Sequence, residues 1–304
     1  MSGTINRILA KRPSDIIMDC IIAILCLFIF FVVAYPLYFV VIASFSNAMD
    51  VNAGRVILWP VRPSLYGYEK ILEDTRIWTG YKNTLIYTFL GTSINLLFTL
   101  PAAYVLSRKR FAPRKIIMAL FIFTMFFNGG MIPTYMLIRD LKLINKIWVM
   151  VIPFCVSVYN LIISRTFMET SIPEELYEAA MMDGCSHFWY FIAVILPLSK
   201  AVISVIGLYY FVGHWNNFFT PLLYLSRTSM QPLQVVLRNI LISNQVFMEG
   251  AGGGAGVGTG GYAQQYADQI KYGIIIVSVL PVLCLYPFIQ RYFEKGVMIG
   301  AIKG

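Results

Sequence analysis

The chain has 304 residues, of which 58% are hydrophobic and only 13% are charged, and its net charge is +9. Soluble domains carry about 25% charged residues, and the hydrophobic residues here lie in long charge-free runs, so the composition excludes an ordinary soluble protein. In a membrane protein an excess of Lys and Arg indicates topology and lipid contact, and nucleic acid is not an expected partner.

Six charge-free apolar runs follow one another along the chain and predict an all-α polytopic membrane protein with six transmembrane helices. A helix over the first run would be about 36 Å long, enough to cross a hydrocarbon core of about 30 Å. A single transmembrane domain, residues 16–304, is expected after a short N-terminal segment, residues 1–15. The predicted spans are residues 20–43, 83–106, 116–138, 147–164, 201–226 and 272–290.

The loop between the second and third predicted spans carries the densest basic cluster of the chain, residues 108–115. Short clusters of Lys and Arg beside a span favour the cytoplasmic side, although the totals on the two sides are nearly equal. Both termini and the loop of residues 169–197 are therefore predicted to be cytoplasmic. The loops of residues 46–82 and 227–271 are then external, the first with a short helix over residues 66–72.

The loop between the fourth and fifth predicted spans is acidic. Five acids lie within residues 169–183, which contain no Lys or Arg. Ser171 and Glu174 have the spacing of a capping box, in which Ser171 is the capping residue. We expect this helix to end at Gly184, which can adopt a positive φ, and Ser186 is placed to cap a second helix that leads into the fifth span.

Small side chains give the predicted acidic helix a face that can approach another surface closely. Leu176, Ala179, Ala180 and Asp183 share that face by their spacing of three and four residues. This favours a helix that docks on a partner protein. A plain cytoplasmic connector is the alternative, and the residues alone leave the choice open.

The acidic loop resembles the EAA motif of permease subunits of importer-type ABC transporters. The matching segments are Glu178-Ala179-Ala180, Gly184 and Ile195-Leu196-Pro197, with the last spacing slightly shorter than in the family. In that family the penultimate cytoplasmic loop forms a coupling helix, which docks into a cleft of the ATP-binding subunit. The resemblance assigns ATPase-coupling roles to Glu178, Ala179, Ala180, Asp183, Gly184, Ile195, Leu196 and Pro197.

The resemblance extends over the whole chain and is strongest to the carbohydrate-uptake (maltose-type, binding-protein-dependent) branch, in the subgroup for complex and plant-derived oligosaccharides. It is carried by NGGMIPTYML at 128–137, HWNNFFTPLLYL at 214–225 and the segment 290–304. It implies a transmembrane permease subunit of an ATP-driven oligosaccharide importer. Such a subunit works by alternating access in the bacterial cytoplasmic membrane.

The same resemblance implies a heteromeric complex. Its other members would be a second homologous permease subunit, two copies of an ATP-binding subunit and an extracytoplasmic solute-binding protein. Membrane lipid would be a further partner of this chain. The sequence has no G-x-x-x-x-G-K-[ST] motif to hold ATP phosphates. ATP and Mg²⁺ are therefore expected only on the partner subunits. The chain itself is expected to be a transport subunit without catalytic residues, cofactor or metal.

Polar side chains inside a span are costly and tend to face the bundle interior or a watery path. The fifth predicted span combines amides, which pair with hydroxyl groups, and aromatic rings, which stack on the C–H faces of sugars. Aromatic residues that form an interfacial belt are the alternative reading. The substrate-path candidates are Asn128, Tyr209, Tyr210, Trp215, Asn216 and Asn217, and Asn95 and Asn160 are further amides within spans.

Other cargoes and mechanisms remain open at this point. An ABC permease for a polyol, glycerol phosphate or a peptide would have the same architecture. A secondary transporter would need charged residues near the middle of its spans, and the six runs contain none. Spans without charge favour neutral cargo, but an acidic oligosaccharide is also compatible with them.

Overall fold

The structure, a computed structural model, describes residues 13–251, 270–284 and 287, and over these ranges the regular secondary structure is helical throughout. The all-α class predicted from the sequence is thereby confirmed. The chain divides into two compact units. The first comprises Met1–Ile71 and Asn244–Val277, and the second comprises Leu72–Ser243 and Ser278–Gly304.

The first unit begins with a long apolar helix, α1 (Pro13–Ser44), which contains the predicted span 20–43. Its 32 residues make a helix of about 48 Å. The most apolar part has a mean hydropathy of 3.1, and none of it is buried. A helix that is apolar on all sides needs lipid or another subunit around it. Two short helices follow, α2 (Ala48–Asn52) and α3 (Tyr66–Glu73), and α3 confirms the helix predicted over residues 66–72.

A buried carboxylate fastens the segment between α2 and α3. Asp50 is only 1% exposed, and its oxygen atoms accept hydrogen bonds from Arg62 Nε at 2.6 Å and from Arg55 Nη1 at 3.3 Å. The hydrogen bond from Arg62 outweighs the effect of burial and lowers the pKa of Asp50. The stability gained from this carboxylate is therefore fully present above about pH 4, the unfolded-state value, and is lost as the pH falls through the folded-state pKa.

Asp50→Asn is expected to loosen this segment, because an amide of the same shape leaves the buried site without its charge and Arg62 without its ion pair. Trypsin should cleave after Arg55 several-fold faster than in the wild type at pH 7, whereas the Arg62-Pro63 bond resists trypsin in both proteins. The wild-type rate, normalised to that of an unfolded peptide, should not change between pH 5 and pH 8. Asp140→Asn, an exposed carboxylate, is the control. Equal cleavage of the Asp50 variant and the wild type would contradict the prediction.

The second unit is a bundle of long and short helices. Its helices are α4 (Thr75–Ser107), α5 (Arg114–Phe126), α6 (Met131–Asp140), α7 (Val158–Ser171), α8 (Glu174–Met182), α9 (His187–Tyr190), α10 (Leu196–Leu198), α11 (Lys200–Trp215) and α12 (Phe219–Tyr224). Short 3₁₀ turns lie at Ile147–Met150 and Thr228–Met230, and a π-helical turn lies at Phe191–Ile195. Two further helices, α13 (Leu233–Ala251) and α14 (Ile270–Cys284), contribute residues to both units, as α3 does with its last two residues.

Helix α4 lies at the centre of the second unit, where it packs against both α7 and α11. Its apolar core residues include Leu100 and Ala103. They belong to one buried cluster with Leu161 and Met168 of α7 and with Ile206 of α11. Since α4 packs against two helices, side chains on the faces that meet them can contribute to a site between them.

Among the described residues, α1 and α4 are each long and apolar enough to cross a membrane alone. Two bent pairs of helices could bring the number to four. The predicted span 116–138 falls on the first pair, α5 and α6, between which the chain bends by 113°. The predicted span 201–226 falls on α11 and α12, which are separate helices, and 272–290 coincides with α14 as far as Cys284 before leaving the fully described residues. The six-span count stays a prediction.

The predicted span 147–164 is not one helix. After the 3₁₀ turn, residues 151–157 are irregular, and α7 begins only at Val158. Pro153 explains the interruption, because proline lacks an N–H and disfavours helical backbone at the preceding residue. The side chain of Ser157 then caps α7. Apolar composition predicts that a segment is buried, but it does not distinguish a helix from irregular backbone of the same composition.

Candidate functional site

A cavity of about 480 Å³ lies between α4, α7 and α11 in the second unit. Its lining offers amides, hydroxyls, one imidazole and aromatic rings, without Asp, Glu, Lys or Arg. The lining residues are Asn95, Phe154, Ser157, Tyr159, Asn160, Tyr209, Tyr210, Gly213, His214 and Asn217. A concave site of this size, with aromatic walls and a few polar groups, has the general properties of a site for a small polar ligand.

The buried amide of Asn95 determines the geometry of the cavity wall. Its Nδ2 donates hydrogen bonds to the carbonyl oxygens of Phe154 at 3.2 Å and Cys155 at 2.7 Å. Because these partners only accept, the orientation of the amide is fixed and its Oδ1 faces His214 Nε2 at 2.7 Å. His214 Nε2 must therefore carry the hydrogen of this bond.

Tyr210 provides the second support of the irregular segment. Its hydroxyl accepts a hydrogen bond from the backbone N–H of Ser157 at 3.0 Å and lies 2.7 Å from Thr99 Oγ1 of α4. Non-helical backbone at membrane depth needs such partners, because lipid offers none. Asn95 and Tyr210 together therefore replace the helical hydrogen bonds that residues 154–157 lack, and they place this backbone at the cavity wall.

Gly91, one turn before Asn95 on α4, makes room for the imidazole. A Cβ atom at this position would overlap His214 Nε2, because the two atoms would be closer than any nonbonded pair can be. Gly91→Ala is therefore expected to displace His214 and to lower the free energy of unfolding by about 1–3 kcal/mol, although alanine favours a helix. Thermal unfolding of the purified protein measures this change.

Gly207→Ala on α11 is the matched control for Gly91→Ala. The nearest atom to a new Cβ there is Leu96 Cδ1 at 3.7 Å, an ordinary contact. This variant should keep or slightly raise the melting temperature, since alanine has the higher helix propensity. If both variants unfolded at the wild-type temperature, the close approach of α4 to His214 would be contradicted.

The structure brings five of the polar and aromatic residues singled out in the sequence to the cavity: Asn95, Asn160, Tyr209, Tyr210 and Asn217. Tyr209 is partly exposed there, whereas Tyr210 is nearly buried and acts through its hydroxyl. Asn217 Oδ1 also accepts a hydrogen bond from the N–H of Thr220. Asn216 does not line the cavity, because it is the exposed residue at which α11 ends.

Trp215 is a core residue and does not line the cavity. It is 1% exposed, its Nε1 donates to the carbonyl oxygen of Ser278 at 3.0 Å, and its ring stacks on Phe211. Its aromatic ring made Trp215 a candidate path residue in the sequence, and the structure places that ring in the core. Residues 210, 213, 214 and 217 share one face of a helix, and residue 215 lies on another. From that spacing, His214 could have been added to the candidate path residues and Trp215 left out.

Asn128 lies at a second cavity, of about 280 Å³, beside the bend between α5 and α6. Thr134, Thr220 and Tyr224 also line it, and Phe154 lines both cavities. Phe154 thus stands where the lining residues of the two cavities meet, on the irregular segment held by Asn95. The sequence pattern did not single out Phe154, since a phenylalanine in an apolar run carries no distinguishing signal.

The acidic loop forms the short helix that the sequence predicts. α8 covers Glu174–Met182 and is followed by Gly184 with a φ of +75°. The N–H of Cys185 bonds to the carbonyl of Ala180 at 2.9 Å, which closes the end of the helix. Ser186 caps α9, as predicted, by accepting a hydrogen bond from the N–H of Trp189.

The predicted cap at Ser171 is wrong. Ser171 is the last residue of α7, and the residue before α8 is Pro173, which makes no side-chain capping bond. The cause is the Ile172-Pro173 pair, because the residue before a proline is pushed towards extended backbone. Ile172 accordingly has φ −110° and ψ 110°. The break between the two helices therefore falls at Ile172.

The predicted coupling residues divide into an exposed and an inward-facing group. Glu178, Ala179, Asp183, Gly184 and Pro197 are exposed. Ala180 and Leu196 are half-buried against the core cluster of the second unit, and Ile195 is fully buried in it. The expected common face of Leu176, Ala179, Ala180 and Asp183 is thus split, because the helix turns Ala180 towards the core with Tyr177.

The exposed side of this loop also carries large apolar side chains. Met182 is 88% exposed, and Phe188 and Trp189 of α9 are 72% and 61% exposed. Exposed apolar groups next to the acids Glu178 and Asp183 are typical of a surface that a partner covers. We call the exposed residues of α8 and α9 the docking loop face. Met182, Phe188 and Trp189 were not among the predicted site residues, although their position beside Gly184 was visible in the sequence.

Comparison with known proteins gives matches along most of the chain. The family model described as binding-protein-dependent transport system inner membrane component matches residues 77–299. The protein LplC of Bacillus subtilis (strain 168) is 34% identical over 273 residues, which cover 88% of this chain and 89% of that protein. The polygalacturonan/rhamnogalacturonan transport system permease protein YtcP of the same organism is 36% identical, over 88% of this chain and 92% of that protein.

A solved structure is also similar. It is the crystal structure of a bacterial ABC transporter involved in the import of the acidic polysaccharide alginate. The matched chain superposes with a TM-score of 0.82 at 31% sequence identity, and the match covers 93% of the present chain and 99% of that one.

Proposed function

Because this chain belongs to the family of binding-protein-dependent transport system inner membrane components, we propose that it is a permease subunit of an ATP-driven oligosaccharide importer that works by alternating access. The importer would contain a second, homologous permease subunit, two copies of an ATP-binding subunit and an extracytoplasmic solute-binding protein. ATP and Mg²⁺ would bind to the partner subunits. Both termini and the docking loop face would lie on the cytoplasmic side of the bacterial inner membrane.

The cavity between α4, α7 and α11 is the observation that carries the cargo assignment. Its amides and hydroxyls can pair with sugar hydroxyls, and its tyrosines can stack on sugar rings. The absence of Asp and Glu from this lining leaves acidic sugars admissible. The cargoes in the names of YtcP and of the alginate transporter, both saccharides, support the same class.

The docking loop face supports the proposed coupling to ATP hydrolysis. A short helix whose exposed side combines acids with Met182 can be covered by a cleft of another protein. ATP binding would close the partner ATPases, move this loop and tilt the helices from an inward-open to an outward-open arrangement. The cavity would thereby open to opposite sides of the membrane in turn.

Reconstitution of the complex tests the proposal. The permease, its partner permease, the ATP-binding subunit and the solute-binding protein would be placed in proteoliposomes, and uptake of labelled saccharides would be followed with and without ATP. We expect ATP-dependent uptake of a neutral or acidic oligosaccharide that requires the binding protein. Uptake of only polyols, glycerol phosphate or peptides would overturn the cargo class, and uptake without ATP would overturn the mechanism.

A further inference from the structure

Three tyrosine rings surround the guanidinium group of Arg108, the residue at which α4 ends. Its Cζ lies 4.9 Å from the ring centroid of Tyr104, 5.5 Å from that of Tyr177 and 5.7 Å from that of Tyr190. At such distances a cation is attracted by the negative face of an aromatic ring. The planar guanidinium of arginine suits this environment better than an ammonium group, because it can stack on rings. We call this group the tyrosine cage.

The rings of the tyrosine cage come from three helices. Tyr104 belongs to α4, Tyr177 to α8 and Tyr190 to α9, and all three are buried. Tyr177 and Tyr190 also contact each other edge to face, with ring centroids 5.5 Å apart. The cage therefore connects α8 and α9 to the end of α4 through side-chain contacts, in addition to the covalent connection of the chain. We call α8 and α9 together the docking loop.

Other polar contacts near the loop join other helices or are more exposed, as is Arg110, whose Cζ also lies 5.6 Å from the ring centroid of Tyr177. Glu169 of α7 pairs with Arg165 on its own helix at 2.7 Å and with Arg114 of α5 at 3.3 Å, so it joins α5 to α7. Arg110 lies 3.8 Å from Glu178, and both side chains are mostly exposed. An exposed pair at this distance contributes little. Arg108 is thus more enclosed than Arg110, the other cation that lies between α4 and α8.

Helix α4 is helical throughout from the cage to the cavity, although Pro101 lies between them and removes one backbone hydrogen bond. Asn95, which positions the cavity wall, lies 13 residues before Arg108, the residue that follows the last turn of α4, or about 20 Å along the helix axis. By contrast, the covalent link from α7 to α8 passes through the extended Ile172, and the link from α8 to α9 passes through Gly184. A continuous helix transmits displacement more faithfully than such short irregular connections.

We propose that Arg108 is a positioning residue through which movement of the docking loop reaches α4 and, along it, the cavity at Asn95. This inference rests on the proposed function. When the partner ATPases move α8, the tyrosine cage moves the end of α4 with it. Loss of the cage would leave the loop able to bind the ATPases but would weaken the dependence of ATP hydrolysis on the loaded binding protein.

The test uses the complete complex in proteoliposomes and compares Arg108→Met, Arg108→Lys and the control Lys109→Gln. Lys109 is the exposed neighbouring cation. The measurement is the ratio of ATP hydrolysis with and without loaded solute-binding protein, at equal amounts of assembled complex. We expect Arg108→Met to lower this ratio about tenfold, within the usual range of coupling between sites. Arg108→Lys should lower it less, and Lys109→Gln should resemble the wild type.

The outcomes separate this inference from the function on which it rests. If the loaded binding protein does not stimulate ATP hydrolysis by the wild-type complex, the proposed function and this inference are both overturned. Normal stimulation in the wild type with equal ratios in Arg108→Met and Lys109→Gln overturns the inference alone. If Arg108→Met does not assemble, Arg108→Lys decides, since it keeps the charge: a lowered ratio at normal assembly supports the cage, and an unchanged ratio overturns it.

Discussion

Met182→Glu is expected to abolish ATP-driven uptake while the chain still inserts into the membrane. Met182 is the most exposed large apolar side chain of the docking loop face, so its replacement disturbs no internal packing of the described chain. In the assembled complex a partner would cover it, and an added acid there would bury a charge beside Glu178 and Asp183. If Met182 is one of the few residues that carry most of the interface energy, its loss costs about 2 kcal/mol or more, or about 30-fold in affinity.

Copurification of the ATP-binding subunit with the tagged permease measures this effect, and uptake in proteoliposomes gives the functional result. Ala112→Glu adds the same side chain at an exposed position on the same predicted side of the membrane, outside α8 and α9. It should retain the ATP-binding subunit. Normal copurification and uptake with Met182→Glu would show that the docking loop face is not the contact surface.

Asn95→Leu is expected to destabilise the second unit and to reduce uptake at least about tenfold. Leucine has the same branching and number of side-chain heavy atoms as asparagine but cannot bond to the carbonyl oxygens of Phe154 and Cys155 or to His214 Nε2. Each buried polar group left without a partner costs about 1–3 kcal/mol. The free energy of unfolding should therefore fall by about 3 kcal/mol or more, and the irregular segment should lose its position at the cavity.

Thermal unfolding in detergent measures the first part of this prediction, and reconstituted uptake measures the second. Asn128→Leu is the matched control for stability. Asn128 is exposed, and its side chain accepts one local hydrogen bond, from the N–H of Gly130, so its replacement should leave the melting temperature almost unchanged. Equal melting temperatures of Asn95→Leu and Asn128→Leu would contradict the role of Asn95 as the support of residues 154–157.

The docking loop was predictable because local chemistry determines most of it. Gly184 ends a helix by its positive φ, and Ser186 caps the next one by a bond within three residues. The cap at Ser171 was mispredicted because its spacing satisfied the capping pattern while Ile172-Pro173 imposed a stronger backbone restriction. Which residues of α8 face outward could not be derived, since that depends on the position of the core behind it.

The cavity was less predictable, because its residues are brought together from distant parts of the chain. Asn95 and His214 are separated by more than a hundred residues, and only the packing of α4 against α11 makes them neighbours. Trp215 and Asn216 illustrate the same limit. Their residue types suit a sugar site, but one faces the core and the other the surface. Pro153 was the one local sign that the fourth predicted span would be interrupted.

The irregular segment of residues 151–157 also bears on how such a protein can be redesigned. Its backbone is held by side chains of α4 and α11, so the exposed side chain of Phe154 is released from the demands of core packing. A mutant library at Phe154, with Asn95, Tyr210 and the helix cap Ser157 kept constant, should therefore yield many folded variants that differ in the saccharides they admit. Protein engineers could select among them by growth on a single carbon source.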